Sequence, residues 1–232
     1  MATGKDPHHR QIRSFVRRAG RLTASQQRAL TDYWPAYGLD YLATTLDFAA
    51  VFGSTAPVVL EIGFGNGDSL VEQATASPDK NFLGIEVHEP GVGHCLIAAN
   101  NAAVTNLKLI VHDAIEVLEN QVPSASLQRI NLYFPDPWPK KRHHKRRIVQ
   151  APFLDLCADR LEPGGAIHIA TDWENYAEHI DEVFAASASF RCSERRVHDG
   201  DQPFERPMTK FERRGLRHGH RIFDWRFEKN DL

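Results

Sequence analysis

The chain has 232 residues, 42% of them hydrophobic and 25% charged, the balance of a globular protein with one α/β-sized core. Its longest apolar runs, Val58–Leu60 and Ile167–Ala170, are far too short to span a bilayer, and its basic N-terminus lacks the apolar stretch of a secretory signal. Cys95, Cys157 and Cys192 are widely separated and form no C-x-x-C pair, which argues against a disulfide or zinc framework and fits a reducing cytosol.

The net charge of −2 conceals a segregation. Residues 1–30 carry seven Lys/Arg against one acid, and residues 140–147 carry six against none. Residues 191–232 carry eleven against eight, whereas the remaining segments hold four against twenty-one. Cationic clusters on an acidic body form an electrostatic footprint for a polyanion.

In chain order, residues 1–22 form a polar tail with Lys5, Arg10, Arg13, Arg17, Arg18 and Arg21, expected to be disordered or to order only on binding. His8 and His9 are tail residues without an assigned role. Thr23 or Ser25 caps a helix over Gln26–Tyr33, and Leu39–Phe52 reads as a second helix closed by Gly53. Short apolar strands then alternate with amphipathic helices, the signal of a parallel α/β sheet. The strands are expected at about 57–62, 81–86, 107–111, 128–134 and 165–170. The helices fall at about 67–76, 90–103, 114–119, 148–161 and 173–187. Phe190–Val197 and Arg221–Glu228 read as a final pair of strands around a Gly-, Pro- and charge-rich insertion at about 198–220. The expected fold is a seven-stranded, mostly parallel sheet with one antiparallel strand and helices on both faces. Residues 23–232 then form a single domain behind the tail.

The run Val58-Val59-Leu60-Glu61-Ile62-Gly63-Phe64-Gly65-Asn66-Gly67 carries an apolar strand into a glycine turn at a helix start, where backbone can approach a ligand closely. Asp68 stands where a dinucleotide fingerprint needs its third glycine, which disfavours NAD. With Glu61 and Gly63, Gly65 and Gly67, the segment resembles motif I of class I S-adenosylmethionine (SAM) methyltransferases, whose fold is Rossmann-like. Glu86 closes the second of the five strands, where a carboxylate can accept from both hydroxyls of a ribose. Asp113 ends the third strand, where such enzymes place a polar group on the adenine amino group. An alternative for each acid is a surface carboxylate capping the next helix.

Tyr133-Phe134-Pro135-Asp136-Pro137-Trp138-Pro139 closes the fourth strand and runs into Lys140-Lys141-Arg142-His143-His144-Lys145-Arg146-Arg147. Two prolines stiffen the backbone around one carboxylate, an indole follows, and the cations come next. Trp138 can stack on a base or pack against the sheet. His143 and His144 have no carboxylate or Cys partner nearby, so no metal is expected.

Phe-Pro-Asp-Pro-Trp-Pro-Lys-Lys-Arg-His, after Glu-Ile-Gly-Phe-Gly-Asn-Gly, resembles the bacterial tRNA (guanine-N7-)-methyltransferase family. The likeness continues in Arg13-Ser14-Phe15-Val16-Arg17-Arg18, Tyr33-Trp34-Pro35, Ala170-Thr171-Asp172 and Thr209-Lys210-Phe211-Glu212, and spans about residues 13–228. It implies methyl transfer from SAM to N7 of the variable-loop guanosine at position 46 of tRNA, in the cytoplasm. It implies a cofactor site of Glu61, Gly63, Gly65, Gly67, Glu86, Asp113 and Asp136, with Asp136 as the active-site acid. It also implies a substrate site of Lys140, Asp172, Thr209, Lys210, Phe211 and Glu212, with Glu212 accepting from guanine or from the methionine amino group. Arg142, His143, His144, Lys145, Arg146 and Arg147 are expected on RNA phosphates. The expected partner is tRNA, without membrane or metal, and the chain is expected to act as a monomer, with a homodimer as the alternative. A SAM enzyme acting on protein or small molecules leaves the basic segments unexplained. A non-catalytic RNA-binding module is disfavoured by the intact acids.

Overall fold

The computed structural model describes residues 13–15, 20–200 and 206–230. The expected tail therefore lies outside the described residues except at Arg13–Phe15 and 20–22, as do residues 201–205 of the insertion. Thr23 accepts from the Gln26 N–H while the Gln26 side chain accepts from the Thr23 N–H, a capping box that starts α1 (Ala24–Asp32). A short α2 (Trp34–Tyr37) follows.

The helix expected over Leu39–Phe52 is corrected. Gly38–Leu39 forms a two-residue edge strand, β1, and only Phe48–Phe52, α3, is helical. Two local facts explain it. The Asp47 carboxylate accepts from the Ala50 N–H at 3.2 Å, which places the helix start after residue 47. Leu39 is drawn into parallel register with Ile110. Gly38 lies so close to Trp34 that a β-carbon there would come within 2.0 Å of the indole.

The α/β alternation follows as expected: β2 (Val58–Ile62), α4 (Asp68–Ala76), β3 (Asn81–Glu86), α5 (Glu89–Asn101), β4 (Leu107–Val111), α6 (Ala114–Asn120) and β5 (Leu127–Tyr133). A 3-10 helix over Lys141–Arg146 precedes α7 (Ala151–Arg160), β6 (Leu161–Thr171) and α8 (Glu174–Ala185). The chain then adds β7 (Phe190–His198), α9 (Lys210–Arg217) and β8 (Ile222–Lys229). The helix α9 sits inside the Gly-, Pro- and charge-rich insertion, where no helix was expected.

The sheet has eight strands in the order β1-β4-β3-β2-β5-β6-β8-β7. The eighth, absent from the expected seven, is the short β1. Only β8 runs against the others, paired to β6 and β7. Strands buried on both faces read as continuous apolar runs. Leu60, Leu83, Ile130 and Leu132 pack toward α6, α7 and α8, whereas Val59, Phe82, Leu107 and Leu109 pack toward α1, α4 and α5. The order reverses between β2 and β5, so the crevice outside their carboxyl ends is the topological switch point at which such sheets bind ligands.

Gly38→Ala is expected to destabilise the fold by about 1–3 kcal/mol through overpacking against Trp34. Urea unfolding followed by circular dichroism would show a lower midpoint with the same slope, and an unchanged midpoint would refute the contact.

Candidate active site

Three glycines turn the chain from β2 into α4, with φ of 73° at Gly63, 61° at Gly65 and 81° at Gly67. This left-handed path is open to glycine without strain. A β-carbon at Gly63 would meet nothing within 4 Å, and one at Gly65 only the Phe211 ring at 3.6 Å. The turn therefore leaves a strip of bare backbone facing the crevice. Glu86 braces it from β3. One carboxylate oxygen accepts from the Gly65 N–H at 2.8 Å and the other from the Val87 and His88 N–H groups at 2.7 and 3.0 Å. A carboxylate has about four acceptor positions, so about one remains, enough for a single ribose hydroxyl rather than the expected two.

Behind the turn, Glu61 is 3% exposed and accepts from Gln73 Nε2 at 3.1 Å. The Gln73 carbonyl in turn accepts from Asn131 and Arg129. Burial pushes the Glu61 carboxyl up to about 7, against the opposing pull of Gln73 and Arg129. Burial thus favours the neutral form of this group well above the ordinary carboxylate range.

At the end of β5 the loop is strained. Phe134 has φ of 53° and Trp138 of 46°, each just before a proline that already restricts it, at a cost on the order of 1–3 kcal/mol apiece. Several contacts hold it. The Phe134 N–H donates to the Ala170 carbonyl at 2.7 Å. The Arg147 guanidinium donates to the Pro137 carbonyl at 3.0 Å and to Asn175, and lies over Tyr176. The Trp138 indole N–H donates to the Ser14 carbonyl at 3.0 Å, and the Arg146 guanidinium covers its ring at 4.0 Å. Asp136 is carried exposed between these anchors.

The third wall is α9. Thr209 caps it, accepting from the Glu212 N–H at 3.1 Å. Lys210 Nζ donates to Asn66 Oδ1 at 2.8 Å, and Phe211 rests against Gly65. Between α9 and the glycine turn lies a cavity of about 30 Å³ lined by Glu61, Gly63, Tyr133, Thr209 and Phe211. Asp172 packs against Gly215 of α9 and stands 3.0 Å from His220 Nδ1. Asp113 caps α6 through the Ile115 N–H, and burial raises its carboxyl. It lines a separate cavity of about 260 Å³ with Arg13, Lys145, Arg146, Phe153 and Leu156.

A family model described as putative methyltransferase matches residues 55–225. A protein of Yersinia enterocolitica named tRNA (guanine-N(7)-)-methyltransferase is 54% identical over 222 residues, covering 96% of this chain and 93% of the relative. A protein of Shewanella piezotolerans with the same name is 55% identical, covering 95% and 93%. The chain belongs to the tRNA (guanine-N7-)-methyltransferase family. Solved structures share its fold at low identity. The 16S rRNA methyltransferase KamB aligns with a TM-score of 0.58 and 15% identity over 79% of this chain and 92% of its own. TrmN from Thermus thermophilus aligns at 0.54 and 18% over 78% and 47%.

In this family member the cationic run divides by burial. Lys140, Lys141, Arg142 and Lys145 are exposed, and His143, His144 and Arg146 partly so. Desolvation and then the cations Arg142 and Arg146 push His143 below its ordinary value. Arg147 is 2% exposed and its guanidinium is occupied by Pro137 and Asn175. Its expected phosphate contact is corrected to that of a brace for the Asp136 loop. Glu212 is corrected in the same way. It is fully buried, paired with Arg206 at 2.6 Å and bonded to its own helix cap, so it presents no oxygen to a ligand.

Sequence reasoning missed Arg206, Gln73, His168 and Asp224, because buried polar residues carry no periodic signal and an arginine in a charged insertion reads as surface. Among the described residues, no group of three or more His, Cys, Asp or Glu could hold a metal ion, and no helix is long and apolar enough to cross a membrane.

Glu61 gives a pH signature. Its carboxyl rises from 4.5 to about 7 on folding, so the folded state holds the proton more tightly, and stability from this group is full below pH 4.5 and lost as pH rises to 7. Glu61→Gln removes that loss. Relative to wild type, its unfolding free energy is expected to gain on the order of 3 kcal/mol between pH 4.5 and 8, measured by urea denaturation, and parallel pH profiles would contradict the assignment.

Proposed function

We propose that this chain transfers the methyl group of SAM to N7 of the variable-loop guanosine of tRNA, position 46, in the cytosol, through one domain over residues 23–232. The observation that carries the reading is the meeting, at one switch-point crevice, of a bare glycine turn with buried Glu61 and the clamped Asp136 loop that opens into exposed cations. The names and near-full-length identity of the relatives support it.

The site residues suit SAM. The glycine turn offers backbone without side chains, Glu61 can answer the α-ammonium, and Glu86 keeps one acceptor for the ribose. Asp113 stands farther along the strand ends, where it can take the adenine amino group. SAM, when bound, supplies an electrophilic methyl on a sulfonium. Guanine N7 presents an in-plane lone pair and no proton, so no general base is required. Asp136 then holds the guanine Watson–Crick edge, accepting from N1–H and the N2 amino group, and its charge stabilises the ring as it becomes cationic. Most of the acceleration comes from holding two reactants in line, which suits a carboxylate on a rigid loop. Lys140, Asp172 and the Thr209–Phe211 turn would contact the RNA side of the substrate.

Incubation with SAM and unmodified tRNA transcripts, followed by nucleoside digestion and mass spectrometry, is expected to yield 7-methylguanosine. Absence of product, or product undiminished when that guanosine is replaced, would defeat the proposal. Asp136→Ala is expected to lower turnover far more than SAM affinity, and Glu86→Ala the reverse; an exchange of the two patterns would overturn the roles.

The division of the cations is testable separately. Arg142→Ala should reduce the salt dependence of tRNA binding by about one unit of slope without changing the melting temperature. Arg147→Ala should instead lower the melting temperature. Equal effects on salt slope would show that both touch phosphate.

A further inference from the structure

The least expected group in the structure is a buried arginine that touches both α9 and the start of the Asp136 loop. Arg206 has a fully buried guanidinium. It donates through Nε and Nη2 to Asp224 of β8 at 3.0 and 2.7 Å, and through Nη1 and Nη2 to Glu212 of α9 at 2.6 and 3.3 Å. Its plane lies over the rings of Tyr133 and Phe134, with centroids at 5.2 and 5.6 Å. Behind Asp224, His168 Nε2 approaches the second carboxylate oxygen at 2.7 Å, and His168 Nδ1 stands 3.2 Å from the Tyr133 hydroxyl.

Each contact leads to a working element. Glu212 closes the capping box that begins α9, whose first turn bears Lys210 on Asn66 and Phe211 against Gly65. Phe134 is the left-handed residue from which the Asp136 loop departs. The rings of Tyr133 and Phe134 tie the same guanidinium to the end of β5.

We propose that Arg206 is a positioning residue for methyl transfer, fixing the α9 segment that covers the glycine turn and the loop that carries Asp136 to one another. Two carboxylates and one guanidinium form a rigid planar fork in a dry environment, where the geometry of a lysine cannot replace it. Ligands on the glycine turn and on Asp136 are then placed by one shared group rather than by two independent loops. The kinetic part of this inference rests on the methyltransferase reading, and the structural part does not.

The test compares wild type, Arg206→Lys and Asp224→Asn by hydrogen exchange and by kinetics. Removing a partner from a buried ion group is strongly destabilising, so Asp224→Asn, which keeps an acceptor for the guanidinium, serves as the milder variant and decides the matter if Arg206→Lys does not fold. In each, exchange is expected to rise together at residues 206–217 and at Phe134, Asp136 and Trp138, while α4 and β3 keep their protection. A rise confined to 206–217 would overturn the proposal, reducing Arg206 to an anchor for α9. In the assay with SAM and tRNA, Arg206→Lys is expected to lower kcat about tenfold or more with tRNA affinity unchanged. An increase in KM for SAM alone, with kcat intact, would also overturn it. If wild-type protein forms no 7-methylguanosine, the functional reading fails and the exchange experiment still decides the coupling.

Discussion

The structure depends on a strained segment held in place from several sides. Phe134 and Trp138 both take left-handed backbone next to prolines, an arrangement that persists only where surroundings over-determine it. Here the surroundings are a β6 carbonyl, Arg147 on the Pro137 carbonyl, Arg206 over the Phe134 ring, and Arg146 over the indole. The strain has a geometric result. It leaves the Asp136 carboxylate exposed beyond the end of β5, with prolines removing the freedom to relax.

Arginine serves two separate purposes in this molecule, and burial decides between them. Arg142 is exposed and adds charge to a surface suited to phosphate. Arg147 and Arg206 are buried and occupied by carbonyls, carboxylates and aromatic faces. A buried guanidinium with incomplete partners is costly. Arg147 and Arg206 are both well supplied with partners. Arg146 stands between the two classes, partly exposed and donating to the Arg13 and Phe15 carbonyls. It fastens a piece of the basic N-terminal segment beside the Asp136 loop.

Glu61 and Glu86 divide the work at the glycine turn in a comparable way. Glu86 is consumed largely by backbone N–H groups and holds the shape of the turn. Glu61 is desolvated, with Gln73 as its bonded partner, and carries the electrostatic tension of the site. Shape and charge at the glycine turn are therefore supplied by different carboxylates on neighbouring strands.

The α/β alternation, the strand ends bearing Glu61, Glu86, Asp113 and Asp136, and the cationic run were legible in the amino-acid sequence. They rest on local signals: apolar strands of the right length, glycines at a turn, and prolines around an acid. The exceptions were also physical. The helix expected over Leu39–Phe52 gave way to an edge strand because Asp47 offers a later cap and Leu39 finds a partner in Ile110. The helix α9 was missed in a charged insertion although Thr209-Lys210-Phe211-Glu212 has the spacing of a capping box, because the residues that follow are mostly polar and form no apolar run. The sequence by itself determined which residues stand at the strand ends, because strand period and turn chemistry act between near neighbours. Only the tertiary structure decided which arginines stay exposed and which face inward, and that Glu212 is buried against Arg206. Those assignments depend on charges brought together from β5, β6, β8 and α9, and desolvation acts on the assembled group rather than on any segment alone.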